Sequence, residues 1–211
     1  MSRASIGFHA HTGWAAAVAL GGPPSSPAVI DRRRLNLEEP GIPRQAYHSA
    51  TDIDLLRGEA LVGKALRAAE AAAEREVRSM VDELRSGAHE VVGVGITVKR
   101  GRRPAQTVAQ ILSSHAAMHG AEGQMYREAL MHAGQACGLD VTGVPDRDLF
   151  EHAAAVLGLP VWDLRSQVAA LGRNCGPPWG HDQKAAAVAA WIALTMSLGR
   201  PPNRAGSRAR P

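Results

Sequence analysis

The sequence holds only two cysteines, Cys137 and Cys175. That is too few for a disulfide framework or a four-thiolate metal site. They read as reduced thiols, so a cytoplasmic protein is expected. Aromatic residues are scarce too, with two Phe and two Tyr beside four Trp. Alanine is abundant instead, so the core must be knit from small aliphatic side chains, which suits helices packed closely on a sheet. No run of about eighteen apolar residues occurs, and residues 1–5 lead into no secretory apolar stretch, so neither a membrane span nor a cleaved signal is expected. A phosphate loop, a dinucleotide fingerprint, a Ser-His-Asp signature and zinc-ribbon spacing are missing as well. The net charge of +4 points only weakly to nucleic acid, because Arg200, Arg204, Arg208 and Arg210 sit among Pro, Gly and Ser in the tail. Such a segment buries too little apolar surface to order itself.

What is present is a run of clear periodic patterns. Ala4, Ile6 and Phe8 alternate with Ser5, Gly7 and His9, the mark of a strand. Residues 14–20 and 28–37 read as two more strands, separated by the Gly-Gly-Pro-Pro-Ser-Ser-Pro breaker at 21–27, so an antiparallel meander is expected. Residues 38–54 show no period and read as a surface connection. From 59 to 85 Leu61, Val62, Ala65, Ala69, Ala73, Val77, Met80, Val81 and Leu84 recur at helical spacing, with Gly87 beyond. Residues 91–98 predict a fourth strand whose Gly93 and Gly95 imply close backbone approach. A basic loop at 99–103 follows, then one helix over 107–137, a fifth strand at 139–144, a helix opened by Pro145-Asp146, another near 161–171 and a last one over 181–198. The order β-β-β-α-β-α-β-α-α-α predicts an α/β domain over 1–198, with one mixed five-stranded sheet covered on both faces, and a disordered basic tail at 199–211.

That order resembles the ribonuclease H-like superfamily. The segment Ile6-Gly7-Phe8-His9-Ala10-His11-Thr12-Gly13-Trp14-Ala15 is similar to the first strand and turn of Holliday-junction resolvases and related nucleases. Val141-Thr142-Gly143-Val144-Pro145-Asp146 resembles their fifth strand and the helix after it, and the segment from His181 to Trp191 resembles their late, alanine-rich helix. The resemblance implies phosphodiester chemistry on nucleic acid, with two divalent cations held by carboxylates on the first strand, at the end of the fourth strand and on the last helix. This sequence departs from that set. His9 stands at the first position, the fourth strand offers Thr97 and no acid, and alignment on Trp191 places Ala185 at the late acid with Asp182 one turn earlier.

Several polar residues carry the remaining signal. His115, His119 and Glu122 fall on the apolar stripe of the 107–137 helix, with Val108, Leu112, Tyr126, Leu130, Ala133 and Cys137, and are expected to face the sheet. His-x-x-x-His plus a carboxylate one turn on suits a borderline metal or an acid, base and orienter; the alternative is that the histidines bond strand carbonyls. His9 and His11, at alternate positions of an extended segment, point the same way, and Asp182 is in phase with the buried face of the last helix. Two functions follow as expectations. One is a metal-dependent phosphodiester hydrolase in which His9, His119 and Asp182 hold a divalent metal, Zn or Mn rather than Mg, while Glu122 and His115 act as catalytic groups. The other is a catalytically silent module of the same fold that binds nucleic acid or protein. Arg100, Arg102, Arg103 and Trp179 are the candidate nucleic-acid contacts, with Arg32, Arg33 and Arg34 as further basic residues.

Overall fold

A computed structural model describes residues 1–99 and 106–197 of the chain. The tail at 199–211, expected to be disordered, and Arg100, Arg102 and Arg103 lie outside the described residues. Strands β1 (Ser2–His11), β2 (Trp14–Gly21) and β3 (Ala28–Asn36) pair antiparallel, and β4 (His89–Val98) and β5 (Asp140–Pro145) add in parallel, giving the order β3-β2-β1-β4-β5. The mixed sheet is the one the sequence pattern predicts. Its parallel part is joined by α2 (Leu55–Ser86) and α4 (His115–Ala136), after a short α1 (Ala46–Ser49) and before α4 a short α3 (Val108–Leu112). Helices α5 (Leu149–Leu157), α6 (Val161–Leu171) and α7 (His181–Met196) complete the order. Among the described residues no helix is long and apolar enough to cross a membrane.

Alternation sorts the strand side chains onto two faces. Ile6, Phe8, Val94 and Ile96 pack with Ala69, Ala73, Val77 and Met80 of α2 and Ala129, Leu130 and Ala133 of α4. On the other face lies α7, where every residue from Ala185 to Leu194 is buried. Helices α5 and α6 cover α7 from outside through Leu149, Ala153, Leu164 and Val168. Small residues permit this burial of a whole helix. A methyl group on Gly95 would come to 2.5 Å from the carbonyl carbon of Ala189, and one on Gly7 to 2.5 Å from the amide nitrogen of Ala190. The buried Ser5 hydroxyl donates to the Ala190 carbonyl at 2.6 Å, so α7 is both seated and registered on β1. That seating fixes where the first turn of α7 arrives.

The structure differs most from the sequence reading at four places. Helix α2 begins at Leu55, four residues earlier than the apolar period, because the Asp54 side chain caps it by accepting from the Arg57 amide. The connection at 38–54 contains α1 and a 3-10 turn at 50–52. The single helix expected over 107–137 is two, since Ser114 leaves helical geometry and its hydroxyl caps α4. The helix expected to open at Pro145-Asp146 starts at Leu149, and Pro145 still belongs to β5.

Candidate functional site

The parallel strands end side by side, and the groups at their C-terminal ends meet the N-terminus of α7. In open α/β sheets this is where ligands are held, outside the carboxyl ends of the strands. His9, near the end of β1, is 8% exposed and shares the α7 face with Gly7. Its Nδ1 lies 2.9 Å from Thr97 Oγ1, at the end of β4, and 3.8 Å from Asp146 Oδ1, just after β5. Its Nε2 lies 3.7 Å from Asp182 Oδ1, on the first turn of α7. His11 Nε2 is 3.1 Å from the same carboxylate oxygen, yet it is shielded from solvent and makes no hydrogen bond. The rings of His11 and His181 stand edge-on to His9, with centroids 5.1 and 5.4 Å away. Donor atoms of His9, His11 and Asp182 all fall within 4.8 Å of one another, as do those of His9, Asp146 and His181.

Burial is the main influence on the His9 imidazole and pushes its pKa below the ordinary value. Asp146 and Asp182 pull it back up, while His11 and His181 add to the lowering. His9 is therefore neutral at neutral pH, the form that ligates metals and accepts protons. The folded protein resists a proton that the unfolded chain takes up near about pH 6.5. The stability that neutral His9 contributes is thus present above that pH and is lost as pH falls below it. In chelator-treated protein the melting temperature should drop between about pH 6.5 and pH 5, and His9→Asn, whose amide can still bond Thr97, should flatten that limb. An equally steep limb in His9→Asn would mean that His9 is not held neutral by burial.

An aromatic and cationic stack borders this group. Trp14 stacks on His11 with centroids 4.3 Å apart, and the Arg34 guanidinium lies 4.1 Å over the Trp14 ring. The other two arginines of β3 are committed elsewhere. Arg32 donates to the backbone carbonyls of Gly176, Pro177 and Pro178. Arg33 points to the opposite face and pairs with Asp31 and Glu83, holding the Glu83 carboxyl down at about 2. Trp179 is engaged in packing: its indole N–H donates to the Val168 carbonyl and its ring lies against Gly172. Lys99 is exposed just past the end of β4, at the same strand end as His9.

The remaining residues form a separate group beneath the other face of the sheet. Glu122 is buried, as its place on the stripe predicts, but His115 and His119 are exposed and do not face the sheet. They keep the helical phase of Glu122 and Tyr126, but the first turns of α4 pack through Met118 on α1, α2 and α3 rather than on the sheet, which leaves that end of the stripe uncovered. His115 and His119 instead meet His48 of α1, while His9 and Asp182 lie on the α7 face. The expected trio of His9, His119 and Asp182 is therefore not brought together. Two residues were missed by the sequence reading. Asp146 was read as a helix opener, although its position after a parallel strand was a usable signal. His48 lies in an aperiodic stretch that offers none.

No protein-family model matches the sequence, and no curated protein matches it. Solved structures do. The chain is similar to the Thermus thermophilus RuvC structure, with a TM-score of 0.53 and 11% identity over 93% of this chain and 96% of that one. T. thermophilus RuvC in complex with Holliday junction substrate aligns with a TM-score of 0.49 and 10% identity over the same shares. The fold is thus the RuvC-like, ribonuclease H-like α/β fold that the sequence resembles.

Proposed function

We propose that the protein is a metal-dependent phosphodiesterase acting on nucleic acid, with its centre at His9, His11 and Asp182 and with Asp146 and His181 at the rim. The observation that carries this reading is His11 Nε2, a shielded imidazole nitrogen without a hydrogen bond, 3.1 Å from a carboxylate oxygen and beside His9. A buried polar atom left unpaired costs free energy, so a ligand is the natural partner. The all-carboxylate cage that hard Mg²⁺ prefers does not fit, because His9 and Thr97 occupy the two strand positions where acids would stand. Two imidazoles and a carboxylate suit Zn²⁺ or Mn²⁺. Bound there, such an ion supplies Lewis-acid polarisation of a phosphoryl oxygen.

The chain's own residues divide the other tasks. Thr97 accepts the Nδ1 proton of His9 and so leaves the Nε2 lone pair facing Asp182. Asp182 faces both His9 Nε2 and His11 Nε2 from the first turn of α7. His181, exposed at the rim with its ring edge-on to His9, is placed to pass a proton between substrate and solvent. The N-terminus of α7 favours a phosphate, and the stack of Arg34 on Trp14 offers a guanidinium and a ring face to a nucleotide. Thr97 also favours a second reading, a module that binds nucleic acid without cleaving it, since the C-terminal end of the fourth strand brings no acid.

Cleavage of four-way-junction DNA, single-stranded DNA and RNA, assayed with Mn²⁺, Zn²⁺ or Mg²⁺, separates the two. Cleavage is expected with Mn²⁺ or Zn²⁺, and His9→Ala or Asp182→Ala should lower it by at least about 100-fold with the fold intact. His9→Asp should not confer Mg²⁺-dependent cleavage, because Thr97 still stands where a second acid is needed. Binding of these substrates without cleavage under any metal would establish the module reading instead.

A further inference from the structure

On the face of the sheet away from α7, three imidazoles converge where α1 docks on α4. His115 and His119 are one helical turn apart, and their Nε2 atoms are 3.0 Å from each other. The His48 ring lies 5.1 Å from that of His115 and 4.5 Å from that of His119. One nitrogen from each of the three falls within 4.8 Å of the other two. We infer that His48, His115 and His119 form a Zn²⁺ site with one open coordination position, oriented by the buried carboxyl group of Glu122.

Glu122 supplies the observation that a surface histidine cluster lacks. Its side chain is 1% exposed, and Oε1 takes both the His48 backbone amide at 3.3 Å and His48 Nδ1 at 2.8 Å. With Nδ1–H donated to the carboxyl group, His48 Nε2 carries the lone pair. That nitrogen is shielded from solvent and has no hydrogen-bond partner, and neither does Glu122 Oε2. A carboxylate that fixes the tautomer and direction of a ligating imidazole is the usual outer shell of a zinc site. A nearby dication also offsets the cost of burying that carboxyl group with an unmet oxygen. The spacing suits the ion: tetrahedral Zn–N bonds of about 2.0–2.1 Å put ligand nitrogens roughly 3.3 Å apart, so small side-chain rotations close the triangle. Three nitrogens leave the fourth position for water or a ligand. Hydrogen bonding between His115 and His119 accounts for those two rings alone, and for neither orphaned atom.

This inference concerns residues that the His9 centre does not use, and the two are separable. The full chain, stripped with chelator, is titrated with Zn²⁺ and with Co²⁺, reading bound stoichiometry, visible absorption and the shift in melting temperature. In the His9→Ala/Asp182→Ala variant one tight equivalent of metal should remain, with the absorption of four-coordinate Co²⁺. His115→Ala/His119→Ala, at exposed positions that leave packing intact, should lose that equivalent and its thermal shift. His48→Ala should weaken binding by at least about tenfold, and Glu122→Gln, which keeps the volume, by about 10–100-fold. An isolated pair of histidines one turn apart would ignore both changes, so unchanged affinity in His48→Ala and Glu122→Gln overturns the site. Absence of tight metal from the His9→Ala/Asp182→Ala variant overturns it too.

Discussion

Gly95→Ala is expected to destabilise the protein by more than about 3 kcal/mol, at or beyond the upper end of ordinary overpacking. The added methyl group would overlap the carbonyl oxygen of Ala189 and sit 2.5 Å from its carbon and 3.2 Å from its Cα. These are backbone atoms of a helix buried on all sides, so no flexible side chain can swing away. At about 2–4 °C per kcal/mol for a chain of this size, the melting temperature should fall by roughly 6–12 °C or more. Gly7→Ala should behave in the same way against Ala186 and Ala190. Gly143→Ala is the control, since its methyl group would meet only Val98 side-chain carbons at 3.5 and 3.6 Å, an ordinary contact. Thermal melts of the three variants in chelator decide the point. A Gly95→Ala protein that melts with the Gly143→Ala control would show that α7 is free to lift from the sheet. Because α7 carries His181 and Asp182, lifting it would also open the His9 centre.

Trp191→Ala should cost about 3–5 kcal/mol, the range for deleting a large buried aromatic side chain. Trp191 is 1% exposed and is among the largest fully buried side chains. It does two things at once. Its ring fills space in the cluster that joins α7 to Val18 and Leu20 of β2 and to the α5 and α6 layer. Its indole N–H donates to the Pro24 carbonyl at 2.8 Å, which ties the 21–27 turn to the last helix. Trp191→Phe keeps part of the ring and loses that hydrogen bond, so it should fall between wild type and Trp191→Ala. Urea unfolding of both variants measures the order. A loss of less than about 1 kcal/mol in Trp191→Ala would mean that the space collapses around the missing ring.

The strands were legible because alternation is a local property. Ile6 and Phe8 against Gly7 and His9 placed the His9 side chain on a defined face before any tertiary contact was known, and Asp182 was assigned to the buried phase of α7 in the same way. The glycines of the fourth strand announced the close approach that Gly95 makes to α7. The α4 histidines were misread for an equally physical reason. Their phase within α4 is that of Glu122 and Tyr126, but phase says nothing of how far along a helix its packing partners extend, and the first turns of α4 meet α1, α2 and α3 instead of the sheet. Glu122, one turn beyond His119, lies where that stripe is already covered and is buried.

The sequence alone determined the order of the strands and principal helices, the mixed sheet, the two-sided helical cover and the place of His9 near the end of the first strand. Each of these depends on a residue and its near neighbours along the chain. Only the tertiary structure decided which titratable groups meet. Asp146 joins His9 because β1, β4 and β5 run parallel and end together. His48 joins His115 and His119 because α1 is docked on α4 by Tyr47, Ala50, Val62, Ile111 and Met118, residues drawn from four separate parts of the chain. No periodicity encodes such a meeting, since it is fixed by shape complementarity between elements far apart in sequence.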